Sequence, residues 1–276
     1  MIIVDILKES CKQVYEQTRD LAGTEEGNRK FGKGAGGDIS RKIDLLAEET
    51  VINTIRKFNF RPTIIGEECG FIKGTDGFLI MDAIDGTTNA SRGLPFFCCS
   101  LAYATDFKLS SVVDSAIIDL STGDLFHSSK GNGAYLNDKK ILKSIRKEAA
   151  IDDRDQGEKD ILISVNISGV SEEIVSRLSK VISIANHTRY FGANALELCY
   201  LARGYLDAYI DFRGKIRSTD MAAAFLIVKE SGGKLYSNNG KELDADLGVN
   251  TTMSFLAVYD DKLFHKLAPY LALDRV

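Results

Sequence analysis

The sequence predicts an α+β to α/β fold in which helices pack in layers on β-sheet. Three observations predict it. Two helices with one apolar face open the chain, a run of short β-like segments follows between residues 78 and 137, and the second half alternates strand-like and helical periods. At 276 residues, with 44% hydrophobic and 27% charged residues, the chain can build one large or two medium domains around a sizeable core.

The first helix spans about 2 to 22, with Ile3, Leu7, Cys11, Val14, Tyr15, Thr18 and Leu21 on one face. It lacks a basic start and reads as an amphipathic helix, not a signal peptide. A glycine-rich segment, GNRKFGKGAGGD (27 to 38), follows, in which NRKF is a poor strand. The second helix runs from Ser40, a plausible N-cap, to about Phe58, with Ile43, Leu46, Ala47, Val51, Thr54, Ile55 and Phe58 inward. TIIGEE (63 to 68) is a strand ending in two glutamates. FLIMD (78 to 82) is a buried strand ending in an aspartate, and the DGTTN that follows suits a tight turn into a helix.

FFCCSLAYA, SVVDSAIID, DLFHSS and GAYLN continue as strands between glycine turns. The polar KSIRKEAAIDDRDQGEKD (143 to 160) reads as a linker or surface excursion. Beyond it, ILISVNI, HTRYF, YLDAYIDF and SFLAVYD are strands. SEEIVSRLSKVISIA, ANALELCYLARG, MAAAFLIVKESGG and DKLFHKLAPYLAL are helices, the third closed by a Gly-Gly cap.

A net charge of −4 argues against nucleic acid as the main partner. No apolar run approaches membrane-spanning length. Five cysteines without a CxxC pair read as reduced thiols of a cytoplasmic protein, and the three Asn-X-Ser/Thr sites are then chance matches.

The acids carry the chemistry. Glu67 and Glu68 end one strand, and Asp82 and Asp85 end the next, so neighbouring strand ends would gather them in one cleft. Hard oxygen ligands at that density suit Mg²⁺ or Mn²⁺, and three unclustered histidines make zinc a poor fit. Amides at the start of the helix after Gly86 attract anions. Asp220, just before an alanine-rich helix, reads either as its N-cap or as a further cleft acid.

Together GEE, DAIDGTTN, IRSTDMAAAF and the glycine-rich loop resemble the inositol monophosphatase and fructose-1,6-bisphosphatase superfamily. The segment TRYFGANALELCYLARGYLDAYIDFRGKIRSTD looks most like its archaeal-type members, which often handle both substrates. The family signature places Pro after the first Asp; here Ala83 takes that place, which would loosen the turn slightly.

The resemblance covers most of the chain and implies a layered α-β-α-β-α sandwich of the sugar-phosphatase type. It implies that residues 1–145 form the metal- and phosphate-binding domain and 146–276 a second domain contributing Asp220 and substrate contacts. It implies two or three Mg²⁺ ions, with Mn²⁺ as a substitute. Glu67, Asp82 and the Ile84 carbonyl would hold one ion, and Asp82, Asp85 and Asp220 a second. Asp38 would visit a third, weaker ion that Glu67 shares.

Further roles follow in the same way. Gly86 and Thr87 amides, with Lys33, would hold phosphate. Thr87 and Glu67 would orient the attacking water, and Asp44 would orient Thr87. Gly192, Asn194 and Asp211 would meet sugar or inositol hydroxyls, and Arg189, Lys215 and Arg217 a second phosphate. The implied activity is hydrolysis of inositol 1-phosphate or fructose 1,6-bisphosphate by a homodimer. Within the superfamily the alternative substrate is a nucleotide such as 3′-phosphoadenosine 5′-phosphate.

Three other readings fit less well. Gly32-Lys-Gly34-Ala-Gly-Gly37 matches a dinucleotide fingerprint, but no strand-ending acid lies about 20 residues on. DAIDGT resembles the D-x-D-G-T of aspartyl-phosphate phosphatases, but those acids are two apart and share a strand face, whereas Asp82 and Asp85 are three apart. A non-enzymatic binding module gives no reason for five acids near strand and helix ends.

Overall fold

The computed structural model describes residues 2–142 and 160–271. Except for Asp160, the polar excursion at 143–160 therefore lies outside the described residues. The elements form five layers, α-β-α-β-α, as the sequence implied.

The first layer is α1 (Ile3–Thr18) beside α2 (Lys42–Lys57). Leu7, Cys11 and Val14 of α1 and Ile43, Ala47, Val51 and Ile55 of α2 are buried against one face of the large sheet. Helical spacing thus placed the seam correctly, although Leu46 and Phe58 lie off it. The α2 N-cap is one residue later than expected. Ser40 sits in a strand, Arg41 is the N-cap, and Asp44 accepts the Arg41 amide at 2.8 Å.

The large sheet has eight strands: β3 (Thr63–Gly66), β4 (Gly70–Ile72), β5 (Phe78–Asp85), β6 (Cys98–Ala104), β7 (Val112–Asp119), β8 (Leu125–Ser129), β9 (Gly133–Leu136) and β10 (Lys139–Lys140), in the order β10-β9-β8-β7-β6-β5-β3-β4. A separate hairpin joins β1 (Lys30–Lys33) to β2 (Ile39–Arg41), so part of NRKF is a strand after all. Its side chains are exposed and supply no apolar pattern, which is why it read as a poor one.

The small sheet orders β11 (Leu162–Asn166), β12 (His187–Arg189), β13 (Ala208–Arg217), β14 (Lys234–Ser237) and β15 (Thr252–Val258) as β12-β11-β13-β15-β14. Between the sheets lie α5 (Asn194–Arg203) and α6 (Ser218–Glu230); α3 (Thr87–Arg92) and α4 (Glu172–Ile184) precede them, and α7 (Asp261–Leu267) follows. α6 is buried continuously from Ser218 to Val228 because both sheets cover it, which suits its near-uniform apolar sequence. α4 and α7 cover the outer face of the small sheet through Leu178, Val181, Leu263 and Phe264.

Candidate active site

The site begins with a register. β3 and β5 run parallel with Gly66 opposite Met81, so Glu67 and Asp82, one residue further on each strand, emerge at the same end. β5 pairs β6 antiparallel with Asp82 opposite Ser100 and Asp85 opposite Cys98. Three steps on β5 therefore face two on β6. The extra residue is a bulge, and it returns Asp85 to the face that Asp82 occupies. Both acids are 4% exposed and face the layer that holds α5 and α6. Chain direction then reverses at Gly86, whose φ of +94° no side chain tolerates well, and α3 starts at Thr87.

The fourth acid arrives from the other half of the chain. Arg217 ends β13 and is the N-cap of α6, so Asp220 is the third residue of that helix and not its cap. Its carboxylate points into the cleft, accepting from Asn194 Nδ2 (3.2 Å) and Thr219 Oγ1 (3.1 Å). One carboxylate oxygen each from Glu67, Asp82 and Asp220 lie within 4.8 Å of one another. Asp85 is held beside them by the Ala195 amide at 2.6 Å.

Burial is the largest cause that pushes these carboxyls up. Glu67 rises to about 7, with Asp220 as the next contributor, and Asp82, Asp85 and Asp220 all stand above the ordinary range. Like charges this close favour either protons or a cation between them, and an all-oxygen donor set fits a hard divalent ion.

A cleft of about 530 Å³ opens over the cluster. Its wall includes Asp38, Asp44, Glu67, Asp82, Ile84, Asp85, Gly86, Thr87, Gly192, Asn194, Arg217 and Asp220 of the residues named from sequence. Burial raises Asp44 to about 7, against the Arg41 amide; its Oδ1 is buried without a hydrogen bond of its own, with the Thr87 side chain next to the carboxyl. The Thr87 hydroxyl donates to the Ile84 carbonyl at 3.1 Å. Glu48 accepts the amides of Glu68 and Cys69 (2.9 and 2.8 Å) and shapes the turn that presents Glu67.

Lys33, Arg189, Asp211 and Lys215 do not line the cleft. Lys33 lies on the exposed hairpin, Arg189 donates to the Thr188 carbonyl, and Lys215 is exposed. Asp211 is fully buried in an ion pair with Arg213 at 2.6 Å. Arg217 is in the wall, but its guanidinium is engaged by Glu67 and by Asp38.

Arg213, which sequence reasoning overlooked, and Tyr190 both line the cleft. For Arg213 a signal existed. Residues two apart on a strand share a face, so Arg213 follows Asp211 in the pattern D-x-R. Tyr190 reads as packing from sequence, yet it is 49% exposed at the cleft wall.

Known proteins match this arrangement. The profile of the inositol monophosphatase family matches residues 3–267. A fructose-1,6-bisphosphatase/inositol-1-monophosphatase of Methanothermobacter thermautotrophicus is 32% identical over 269 residues, 93% of this chain and 92% of that protein. A bifunctional NADP phosphatase/NAD kinase of Methanococcus maripaludis is 28% identical over 96% of this chain, which spans 48% of that longer protein. The crystal structure of the MJ0109 gene product, an inositol monophosphatase-fructose 1,6 bisphosphatase, superposes with a TM-score of 0.82 at 26% identity, covering 98% of this chain and 100% of that one. The chain therefore belongs to the inositol monophosphatase family of phosphatases.

Proposed function

We propose that this phosphatase hydrolyses inositol 1-phosphate, fructose 1,6-bisphosphate or both, and that it depends on Mg²⁺, with Mn²⁺ as a substitute. The observation that carries this reading is the convergence of Glu67, Asp82 and Asp220 oxygens within 4.8 Å at the floor of a substrate-sized cleft. Glu67, Asp82, Asp85, Asp220 and the Ile84 carbonyl would hold two ions, and Asp38 with Glu67 a third. When bound, such ions neutralise a phosphate dianion and its leaving oxygen and make water more acidic.

The chain's own groups do the rest. Gly86 and Thr87 direct backbone amides at the equatorial phosphate oxygens. Glu67 and the Thr87 hydroxyl would orient water, and Asp44, whose carboxyl lies next to the Thr87 side chain, would orient Thr87 once its hydroxyl turns from the Ile84 carbonyl. Gly192 and Asn194 border the sugar or inositol ring. Among the basic residues we assign Arg213 to an anionic group at the far end of the substrate, with its guanidinium fixed by buried Asp211. Arg189, Lys215 and Lys33 stand outside the wall, and Arg217 is engaged by carboxylates. In this reading residues 1–145 hold metal and phosphate and 146–276 supply Asp220 and the ring contacts, in a cytoplasmic homodimer.

A phosphate-release panel tests the proposal. It includes inositol 1-phosphate, fructose 1,6-bisphosphate, adenosine 3′,5′-bisphosphate and NADP, each with Mg²⁺ and with chelator. Turnover of either of the first two, lost with chelator, supports the reading. Turnover of the nucleotides alone moves the substrate class to nucleotide phosphates, the alternative within the superfamily. Inactivity on all four with metal present rejects the reading.

A further inference from the structure

The turn at Gly86 and the cleft wall at Gly192 come from different halves of the chain, and one side chain joins them. Asn89, on α3 and 8% exposed, donates through Nδ2 to the Phe96 carbonyl (2.7 Å) and to the Phe191 carbonyl (2.6 Å). A side-chain amide nitrogen carries two hydrogens, so both are used here, and two carbonyl acceptors fix which atom is the nitrogen. The Phe191 C=O and the Gly192 N–H belong to one peptide plane. Asn89 holds the carbonyl of that plane, and Glu197 accepts its N–H at 2.9 Å. The fit is close: Gly192 has φ +86°, and a Cβ on it would lie 3.3 Å from Asn89 Nδ2. Beside this link the Phe96 and Phe191 rings stack with centroids 4.6 Å apart.

We infer that Asn89 is a positioning residue that sets the wall at Gly192 against the turn at Gly86 and Thr87, so that the ring and the phosphate of one substrate seat together. The inference rests on the roles proposed above for Gly86 and Thr87 with phosphate and for Gly192 with the ring. The anchors on the two sides are unequal. α3 is tied to the start of the chain by the Gly23 N–H to the Ala90 carbonyl (2.7 Å) and by Asn28 Nδ2 to the Ser91 carbonyl (2.7 Å). Without Asn89, α3 keeps those ties. The Phe191–Gly192 peptide keeps, among the described residues, its N–H partner alone. The ring wall then shifts while the phosphate turn stays. A misplacement of about 1 Å between reacting groups can cost on the order of 10²-fold in rate.

Steady-state kinetics with Mg²⁺ tests this on inositol 1-phosphate and fructose 1,6-bisphosphate, with inorganic phosphate as the inhibitor, in wild type, Asn89→Ala and Asn89→Ser. In Asn89→Ala, kcat/KM for the substrate that the wild type turns over should fall about 30-fold. Asn89→Ser keeps one shorter donor and decides the matter should the alanine variant unfold; its kcat/KM should fall about tenfold. In both, the inhibition constant of inorganic phosphate should stay within about threefold of wild type, because the amides of the turn have not moved. A loss of general structure would weaken phosphate inhibition in step with kcat/KM, and that result overturns the positioning role. So does a kcat/KM within about threefold of wild type in Asn89→Ala, or in Asn89→Ser if the alanine variant unfolds. Either result, with the wild type active, leaves the proposed function standing. A wild type that turns over neither sugar phosphate removes the proposed function and the positioning role together.

Discussion

Two groups of buried acids in this molecule are held in opposite ways. Glu197, on α5, is fully buried, yet it accepts hydrogen bonds from the Ser164 hydroxyl, the Gly192 amide (2.9 Å) and the Phe191 amide (3.3 Å). Asp82, also buried, accepts only the Ile84 amide, at 3.0 Å, among the described residues and faces Glu67 and Asp220. Burial is the leading cause that raises both Glu197 and Glu67 to about 7, so burial does not tell them apart. Donor count does. An acid whose oxygens are satisfied by the protein needs no further partner, whereas acids that face one another across a cleft leave room for a cation between them. Asp211, sealed by Arg213, is a third, intermediate case.

The sharpest way to break the contrast is kinetic. Asp82→Asn should cost at least about 10²-fold in kcat with Mg²⁺ present. Glu197→Gln, which can keep the amide bonds, should stay within about tenfold of wild type, a loss no larger than that of an outer-shell partner. Equal losses in steady-state assays would erase the distinction. A smaller effect should follow Arg213→Ala. Loss of a charge-assisted contact should raise KM about tenfold for fructose 1,6-bisphosphate and less for inositol 1-phosphate. An equal rise for both would remove Arg213 from the far-end anion site.

Stability should move the other way. In urea titrations with chelator, Glu197→Ala should lose about 3 kcal/mol, because three buried donors lose their acceptor. Asp82→Ala should be neutral or stabilising under the same conditions, since it removes a like charge from a crowded cluster.

The pH dependence is a finer test. The folded value for Glu197, about 7, lies above its ordinary 4.5, so the folded protein holds the proton more tightly. That contribution is fully present below about pH 4.5 and is lost as pH rises to about 7. With chelator the melting temperature should fall across this window, and less steeply in Glu197→Gln. Mg²⁺ at pH 7.5 should raise the melting temperature of wild type and Glu197→Gln, and leave Asp82→Asn nearly unchanged.

Much of this site was legible in the sequence, because strand ends and turn residues are local signals. Four of its acids sit beside such signals: Glu67 after TIIG, Asp82 and Asp85 around the FLIMD turn, and Asp220 before the alanine-rich run. The bulge that brings Asp85 back to the face of Asp82 was not legible. It is a relation between β5 and β6, and one strand's spacing does not contain it. Asp220 stayed ambiguous for a similar reason. Capping and cleft roles ask for the same residue type, and only the true helix start at Ser218 separates them.

Arg213 is not distinguished by charge, because Arg189, Lys215 and Arg217 are equally basic and only the strand face separates them. Past Asp211 the pairing of β13 with β15 shifts register, which hides the faces of the residues beyond it. The strands β4, β10 and β14 escaped because each is four residues or shorter and carries little apolar pattern.

Crystals soaked in Mn²⁺ and measured at the manganese edge address the acidic cluster most directly. The account predicts an anomalous peak within coordination distance of Glu67, Asp82 and Asp220 together. Manganese bound elsewhere, with those three carboxylates untouched at saturating ion, would contradict it.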